Sequence, residues 1–130
     1  MRELPTARIV NIASTASLKG YAYVSAYTAT KHALLGLTRA LALELAGTSI
    51  TVNAICPGYA DTDIIRDSIA TIVSKTGRSE AEARSTFTGA NPQGRLIDPD
   101  EVAGTVLWLL SDAARSVTGQ AITIAGGEIM

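Results

Sequence analysis

The sequence has 130 residues, 47% of them hydrophobic and 18% charged, with 11 Lys plus Arg against 12 Asp plus Glu, one His and one Cys. That length suits a single domain of about 100–200 residues with a buried core, and a composition this apolar excludes intrinsic disorder. A formal net charge of −1 offers no basic field for nucleic-acid phosphates, a single Cys excludes an internal disulfide, and one Cys with one His excludes a structural zinc site. No apolar run approaches the ~20 residues of a membrane span, and the N-terminal MRELPTARIV has no signal-peptide core. The expectation is a soluble, cytoplasmic protein with no nucleic-acid or membrane partner and no metal.

In chain order, Arg8-Ile9-Val10-Asn11-Ile12-Ala13 is a compact apolar run behind Pro5, suited to a strand buried on both faces. Ser14 to Tyr23 reads as a loop, marked by Ser, Thr and Lys19-Gly20. From about Ser25 to Ala46, Ala and Leu predict a helix, with Gly47 placed as a stop. Ile50-Thr51-Val52-Asn53-Ala54-Ile55 predicts a second buried strand, ended by Cys56-Pro57-Gly58. Asp61 or Thr62 then caps a short amphipathic helix through about Ser74, broken by Lys75-Thr76-Gly77.

The Ser-x-x-Glu pattern of Ser79-Glu80-Ala81-Glu82 opens another short helix. Asn91-Pro92-Gln93-Gly94 is loop. Asp98-Pro99-Asp100-Glu101 supplies a cap, a proline at the first helical position and acids facing the helix dipole, starting a helix to about Leu110. Gln120 to Ala125 forms a third strand, closed by Gly126-Gly127.

Strands alternating with helices imply an α/β layer with parallel strands and right-handed crossovers. Two features sit oddly in so small a unit. The first strand reads as buried on both faces, yet nothing upstream supplies its other neighbour. In the long helix, Ala33, Leu34, Leu35, Leu37, Ala40, Leu41, Leu43 and Leu45 point in nearly every direction, where a sheet-covering helix needs one stripe. Another subunit, or a missing domain of the same chain, would cover the outer side.

Tyr27 and Lys31 are four residues apart and share one helix face. A neighbouring ammonium favours a phenolate, so the pair suits proton donation and acceptance. Ser14 ends the first strand, and ligands in open parallel sheets bind outside the carboxyl ends of strands. Ser14 and Tyr27 are therefore expected to meet at that edge.

The segments RIVNIASTASLKGYAYVSAYTATKHALLGLTRALALEL, ITVNAICPGYADTDI, GRLIDPDEVAGTVLWLLSD and VTGQAITIAGG resemble the second half of short-chain dehydrogenase/reductases over nearly the whole chain. The resemblance implies the C-terminal half of a Rossmann-like doubly wound parallel sheet, three strands with flanking helices, spanning residues 1–130. It implies Tyr27 as the general acid/base on a secondary alcohol or ketone, and Ser14 as the holder of the substrate oxygen. Lys31 would favour the ionised form of Tyr27 and hydrogen-bond the nicotinamide ribose. Backbone around Pro57, Gly58 and Ala60, with the Thr62 side chain, would hold the nicotinamide carboxamide of NAD or NADP. Asn11 and Ala13 would lie near the cofactor. Residues 63–89 correspond to a substrate lid, whose apolar Ile64, Ile65, Ile69, Ile72, Val73 and Phe87 favour an acyl or ring-bearing substrate over a sugar. The closest subfamilies are hydroxyacyl or hydroxybutyrate dehydrogenases and ketoreductases.

Against that pattern, the sequence has no Thr-Gly-x-x-x-Gly-x-Gly turn to seat a pyrophosphate and no Asn-Asn-Ala-Gly segment. The chain is expected to be a fragment or mis-started version of a longer enzyme, a half that assembles with other chains, or a decayed remnant. Two functions follow: an NAD(P)-dependent oxidoreductase, or a non-catalytic half-domain acting as an oligomerising module. A homo-oligomer, dimer or tetramer, is expected in either case. His32 reads as a surface or interface residue, Cys56 as a small buried hydrophobe, and Trp108 as core or interface. Ser14 lies in no Gly-x-Ser-x-Gly elbow, which counts against a serine hydrolase.

Overall fold

Three parallel strands, β1 (Ala7–Ile12), β2 (Ile50–Pro57) and β3 (Ala121–Ile124), stand in the order β1-β2-β3 in a computed structural model that describes residues 1 and 4–130. Arg2 and Glu3, part of the N-terminal segment read above, lie outside the described residues. The register pairs Ile9 with Val52 and Asn11 with Ala54 on one side of β2, and Ala54 with Ala121 and Cys56 with Thr123 on the other.

Side chains alternate along a strand, so β2 serves two cores at once. Val52, Ala54 and Cys56 face the long helix α1 (Ser25–Glu44), packing with Leu35, Ala42, Leu45, Ala7 of β1 and Ala13 just after it. Ile55 faces the other way, against Leu109 of α4 (Pro99–Leu110) and Ala114, with Val10, Val102, Val106, Ile122 and Ile124 at the margin. Each fully buried aliphatic side chain of this kind is stabilised by about 1.5–3 kcal/mol relative to exposure. Helices thus cover both faces of a parallel sheet, as the sequence predicts. Asn53 is the one polar member of β2 besides Thr51 and is buried. Its Nδ2 donates to the Val117 carbonyl at 2.8 Å, and its Oδ1 accepts from the Gln120 N–H at 3.1 Å.

Two shorter helices, α2 (Asp63–Thr76) and α3 (Glu80–Thr88), pack on each other between β2 and α4 in the chain. The predicted starts hold: Ser79 caps α3 in a capping box with Glu82, and Asp98 caps α4 in one with Glu101, with Pro99 in the first turn. Thr62, rather than Asp61, occupies the cap position of α2.

The differences lie at element ends and on outer surfaces. Helix α1 stops at Glu44 with Leu45 as its cap, short of Ala46, and β2 runs two residues beyond Ile55 because Cys56 and Pro57 still have Thr123 and Ile124 to pair with. Strand β1 is not buried on both faces. With a neighbour on one edge only, it is half-buried, and Ile12 is 49% exposed. On α1 the outer Leu37 and Leu43 are uncovered, and on α4 Trp108 stands out of the core beside Leu107 and Leu110. Among the described residues no helix is long and apolar enough to cross a membrane.

Arg95 clamps the start of α4 by donating to both carboxylate oxygens of Glu101, at 2.6 and 2.8 Å. That hydrogen-bonded guanidinium, helped by the Asp98 backbone N–H, holds the Glu101 carboxyl down to about 2. A carboxyl lowered on folding adds stability that is complete above its unfolded value near 4.5 and is lost as pH falls toward 2. The melting temperature is expected to fall across that window, and Glu101→Gln should flatten the dependence slightly, since the pair is solvent-screened. An unchanged slope in Glu101→Gln, measured by calorimetry, would refute this role.

Candidate active site

The three predicted catalytic residues come from two adjoining segments at the carboxyl edge of the sheet. After β1, Ala13 continues the ladder by donating its N–H to the Ile55 carbonyl at 2.7 Å. Ser14 then adopts an extended backbone and caps a single 3₁₀ turn (Thr15–Ser17), its Oγ accepting from the Ala16 N–H at 3.1 Å. The chain loops to Tyr23, whose left-handed backbone (φ 67°) turns it into α1 at Val24. Tyr27 therefore falls in the first turn of α1, 48% exposed, and Lys31 follows one turn later.

Lys31 Nζ donates to the Ile12 carbonyl at 3.0 Å and lies 5.6 Å from the centroid of the Tyr27 ring. One ammonium thus joins the last residue of β1, two before Ser14, to the helix face that carries the phenol. A second tie fixes the same helix on the same strand: Asn11 Nδ2 donates to Thr38 Oγ1 at 2.9 Å, and that hydroxyl donates to the Leu34 carbonyl at 2.8 Å. The Asn11 side chain is thereby committed to α1, and Ala13 is buried against Leu35, Ala54 and Cys56. Both stand at the end of β1 nearest the Ser14 turn, their side chains engaged by α1 and the core.

The second strand delivers the other predicted residues. Gly58 N–H donates to the Ile124 carbonyl at 3.0 Å, and a Cβ on Gly58 would lie 3.2 Å from Glu128 Oε2 and 3.3 Å from the Ala125 Cβ, a tight fit that a larger residue would have to push apart. Ala60 forms an isolated bridge with Ile97, and the Ile97 N–H donates to the Tyr59 carbonyl at 2.9 Å. Thr62 follows at the start of α2, exposed, with its side chain making no capping bond. Asp61 beside it is taken up by Arg66 at 3.0 Å and Arg84 at 3.7 Å. The residues expected to form a lid divide: Ile69 is buried, Ile64 is exposed, and Phe87 packs edge-on against Tyr59 at 5.2 Å.

The remaining candidates take their plain roles. His32 is exposed, with Nδ1 2.9 Å from the Thr28 carbonyl. Cys56 is fully buried, and that burial pushes its thiol up, away from the reactive thiolate. Two clefts lie elsewhere among the described residues: one of about 460 Å³ between α2 and α3 lined by Ile69, Val73 and Arg84, and one of about 500 Å³ lined by Asp61, Arg84, Arg95 and Asp98. Ser14, Tyr27 and Lys31 line neither of them and stand at the open sheet edge instead.

A family model described as enoyl-(acyl carrier protein) reductase matches residues 1–128. The chain belongs to the short-chain dehydrogenase/reductase family. Among its relatives, an enzyme of Streptomyces coelicolor named as a putative ketoacyl reductase is 43% identical over 98% of this chain and 49% of its own length. The D-beta-hydroxybutyrate dehydrogenase of Cupriavidus necator is 38% identical over 99% of this chain and 50% of its own. A solved actinorhodin polyketide ketoreductase with NADPH superposes with a TM-score of 0.86 at 42% identity, covering 95% of this chain and 47% of that one. The chain spans about half the length of the relatives it matches.

Sequence reasoning overlooked one cluster at this short-chain dehydrogenase edge. Gly126 and Gly127, both left-handed (φ 58° and 94°), turn the tail after β3 back so that the Glu128 side chain, 3% exposed, meets Lys19 and Tyr21 of the loop after β1. In the sequence the glycine pair signals only the end of the strand. The Asn91 carboxamide occupies the space that a Cβ on Gly126 would need, and it holds its own loop by accepting from the Gln93 N–H and donating to the Arg95 carbonyl, both at 2.8 Å. A methyl at position 126 would overlap that carboxamide. Gly126→Ala, adding left-handed strain of roughly 1–2 kcal/mol to that collision, is expected to lower the denaturation midpoint clearly. A midpoint matching the native chain would contradict the packing described.

Proposed function

We propose that this chain carries the proton-transfer half of a nicotinamide-dependent site that interconverts a secondary alcohol and a ketone. The observation that carries the reading is the Lys31 ammonium, seated on the Ile12 carbonyl within 5.6 Å of the Tyr27 ring, beside the Ser14 turn. Tyr27 donates its proton to the carbonyl oxygen in reduction and takes it back in oxidation. Lys31 stabilises the phenoxide left behind, and Ser14 Oγ–H donates to the substrate oxygen as charge develops on it. When bound, NAD(P)H supplies the hydride and NAD(P)+ accepts it.

The residues present fit the nicotinamide end of such a cofactor. Lys31 would meet the ribose, and Pro57, Gly58 and Ala60 with the Thr62 hydroxyl would hold the carboxamide. No glycine-rich pyrophosphate turn occurs in the 130 residues, so affinity is expected to be low. The names of the relatives support a ketoacyl or hydroxyacyl substrate, and the apolar side of the proposed lid, with Phe87 edge-on to Tyr59, accords with an acyl chain.

The test is reduction of acetoacetyl-CoA by the 130-residue chain with NADPH or NADH, followed by nicotinamide absorbance. Tyr27→Phe should lower turnover by roughly 10²–10⁴-fold, the usual share of a general acid. Undiminished turnover in that variant would remove Tyr27 from the mechanism.

A second reading, a non-catalytic oligomerising module, is favoured by the uncovered β1 edge and by the exposed outer face of α1, where Leu43 is 81% exposed. No fluorescence change with millimolar NADPH or NADH would decide for it. Either reading expects a homo-oligomer. Light scattering at micromolar concentration should give at least a dimer, and a monomer would contradict both surfaces.

A further inference from the structure

We infer that Glu128 is a positioning residue: one buried carboxylate that holds the loops following all three strands in fixed relation at the carboxyl edge. The inference rests on the oxidoreductase reading for its catalytic consequence and on geometry for the rest. Glu128 comes from the tail after β3. Its Oε1 receives Lys19 Nζ at 3.0 Å and the Tyr21 hydroxyl, both from the loop after β1. Its Oε2 lies against Gly58, in the loop after β2. Tyr21 Oη also lies 2.7 Å from Thr15 Oγ1, which places the contact one residue from Ser14.

The charges agree with this arrangement. Hydrogen bonding to Glu128 raises Lys19 above the ordinary lysine value, while burial and then the same carboxylate raise Tyr21, so both are protonated donors at neutral pH. Lys19 also lies 4.8 Å over the Tyr21 ring, which closes the cluster on itself. A buried carboxylate with charged and neutral donors gains more than a neutral hydrogen bond and is costly to leave half-satisfied. The tail is thereby committed to one position. Through Thr15 and Gly58, Glu128 sets the separation between the turn that presents Ser14 and the Pro57-Gly58 segment proposed to face the nicotinamide.

The experiment compares the native chain with Glu128→Ala and Glu128→Gln by hydrogen exchange and by kinetics. The Gln carboxamide oxygen still accepts from Lys19 and Tyr21, whereas Ala removes the acceptor. In Glu128→Ala, exchange should quicken about tenfold or more at the Ser17, Leu18 and Lys19 amides, whose partners are the Ser14 and Thr15 carbonyls. The amides of α1 and α4 should keep their native rates, and Glu128→Gln should recover most of the protection. Turnover should fall about tenfold in Glu128→Ala with KM for ketone and NADPH nearly unchanged, as expected when alignment rather than binding is lost, and Glu128→Gln should recover most of it.

Native exchange in the loop of Glu128→Ala, or faster exchange spread evenly over the chain, overturns the inference. So does native turnover in that variant. Absence of turnover in the native chain overturns only the oxidoreductase reading, and the role of Glu128 is then decided by the exchange rates.

Discussion

From Ile50 to Cys56 every residue of β2 is buried, and the other elements are arranged by what that burial demands. A strand with no exposed face needs a ladder on each edge and an apolar layer above and below. β1 and β3 supply the edges, α1 receives Val52, Ala54 and Cys56, and α4 receives Ile55. Asn53 is admitted because both ends of its carboxamide are satisfied by the segment that leads into β3. The position of β2 fixes where its carboxyl end emerges, and so where Pro57-Gly58 meets the loop after β1.

Polar contacts across that edge do a different job from the core. Lys31 on the Ile12 carbonyl, Asn11 on Thr38, and Glu128 on Lys19 and Tyr21 each join segments that the apolar layers alone would leave free to slide. Dispersion and hydrophobic contact are nondirectional, whereas a hydrogen bond to one carbonyl fixes position to a fraction of an ångström. Proton transfer needs the second kind of constraint, because its donor must stand within hydrogen-bond reach of the oxygen it serves. The candidate site therefore lies where directional contacts concentrate.

This division also explains what could be read from the sequence. Strand and helix positions follow from short-range periodicity and capping, so the Ser79 and Asp98 starts and all three strands are legible to within two residues. Tyr27 and Lys31 are legible because their partnership is four residues long. Glu128 is not, since Tyr21 is 107 residues away and nothing near Glu128 hints at a buried carboxylate. Trp108 misled in the core sense for the opposite reason: helical spacing with Val102, Val106 and Leu109 places an apolar residue on a helix without saying which layer it enters.

The remaining mismatch, a strand that reads as doubly buried and stands at an edge, lies on the side of the sheet away from β3. Relatives of about twice the length match this chain over nearly all of it, so family membership and an unfinished burial pattern are compatible observations. Tyr27, Lys31 and Ser14 take their positions from α1, β1 and the turn between them, and those are anchored to β2 by contacts inside the chain. A pyrophosphate seat would depend on a glycine-rich turn that the 130 residues do not contain. The proposed proton-transfer geometry and dinucleotide affinity would thus be set by different segments. In a site built this way, loss of cofactor affinity leaves the arrangement of phenol, ammonium and hydroxyl untouched, because none of the contacts that create it involves the phosphate end.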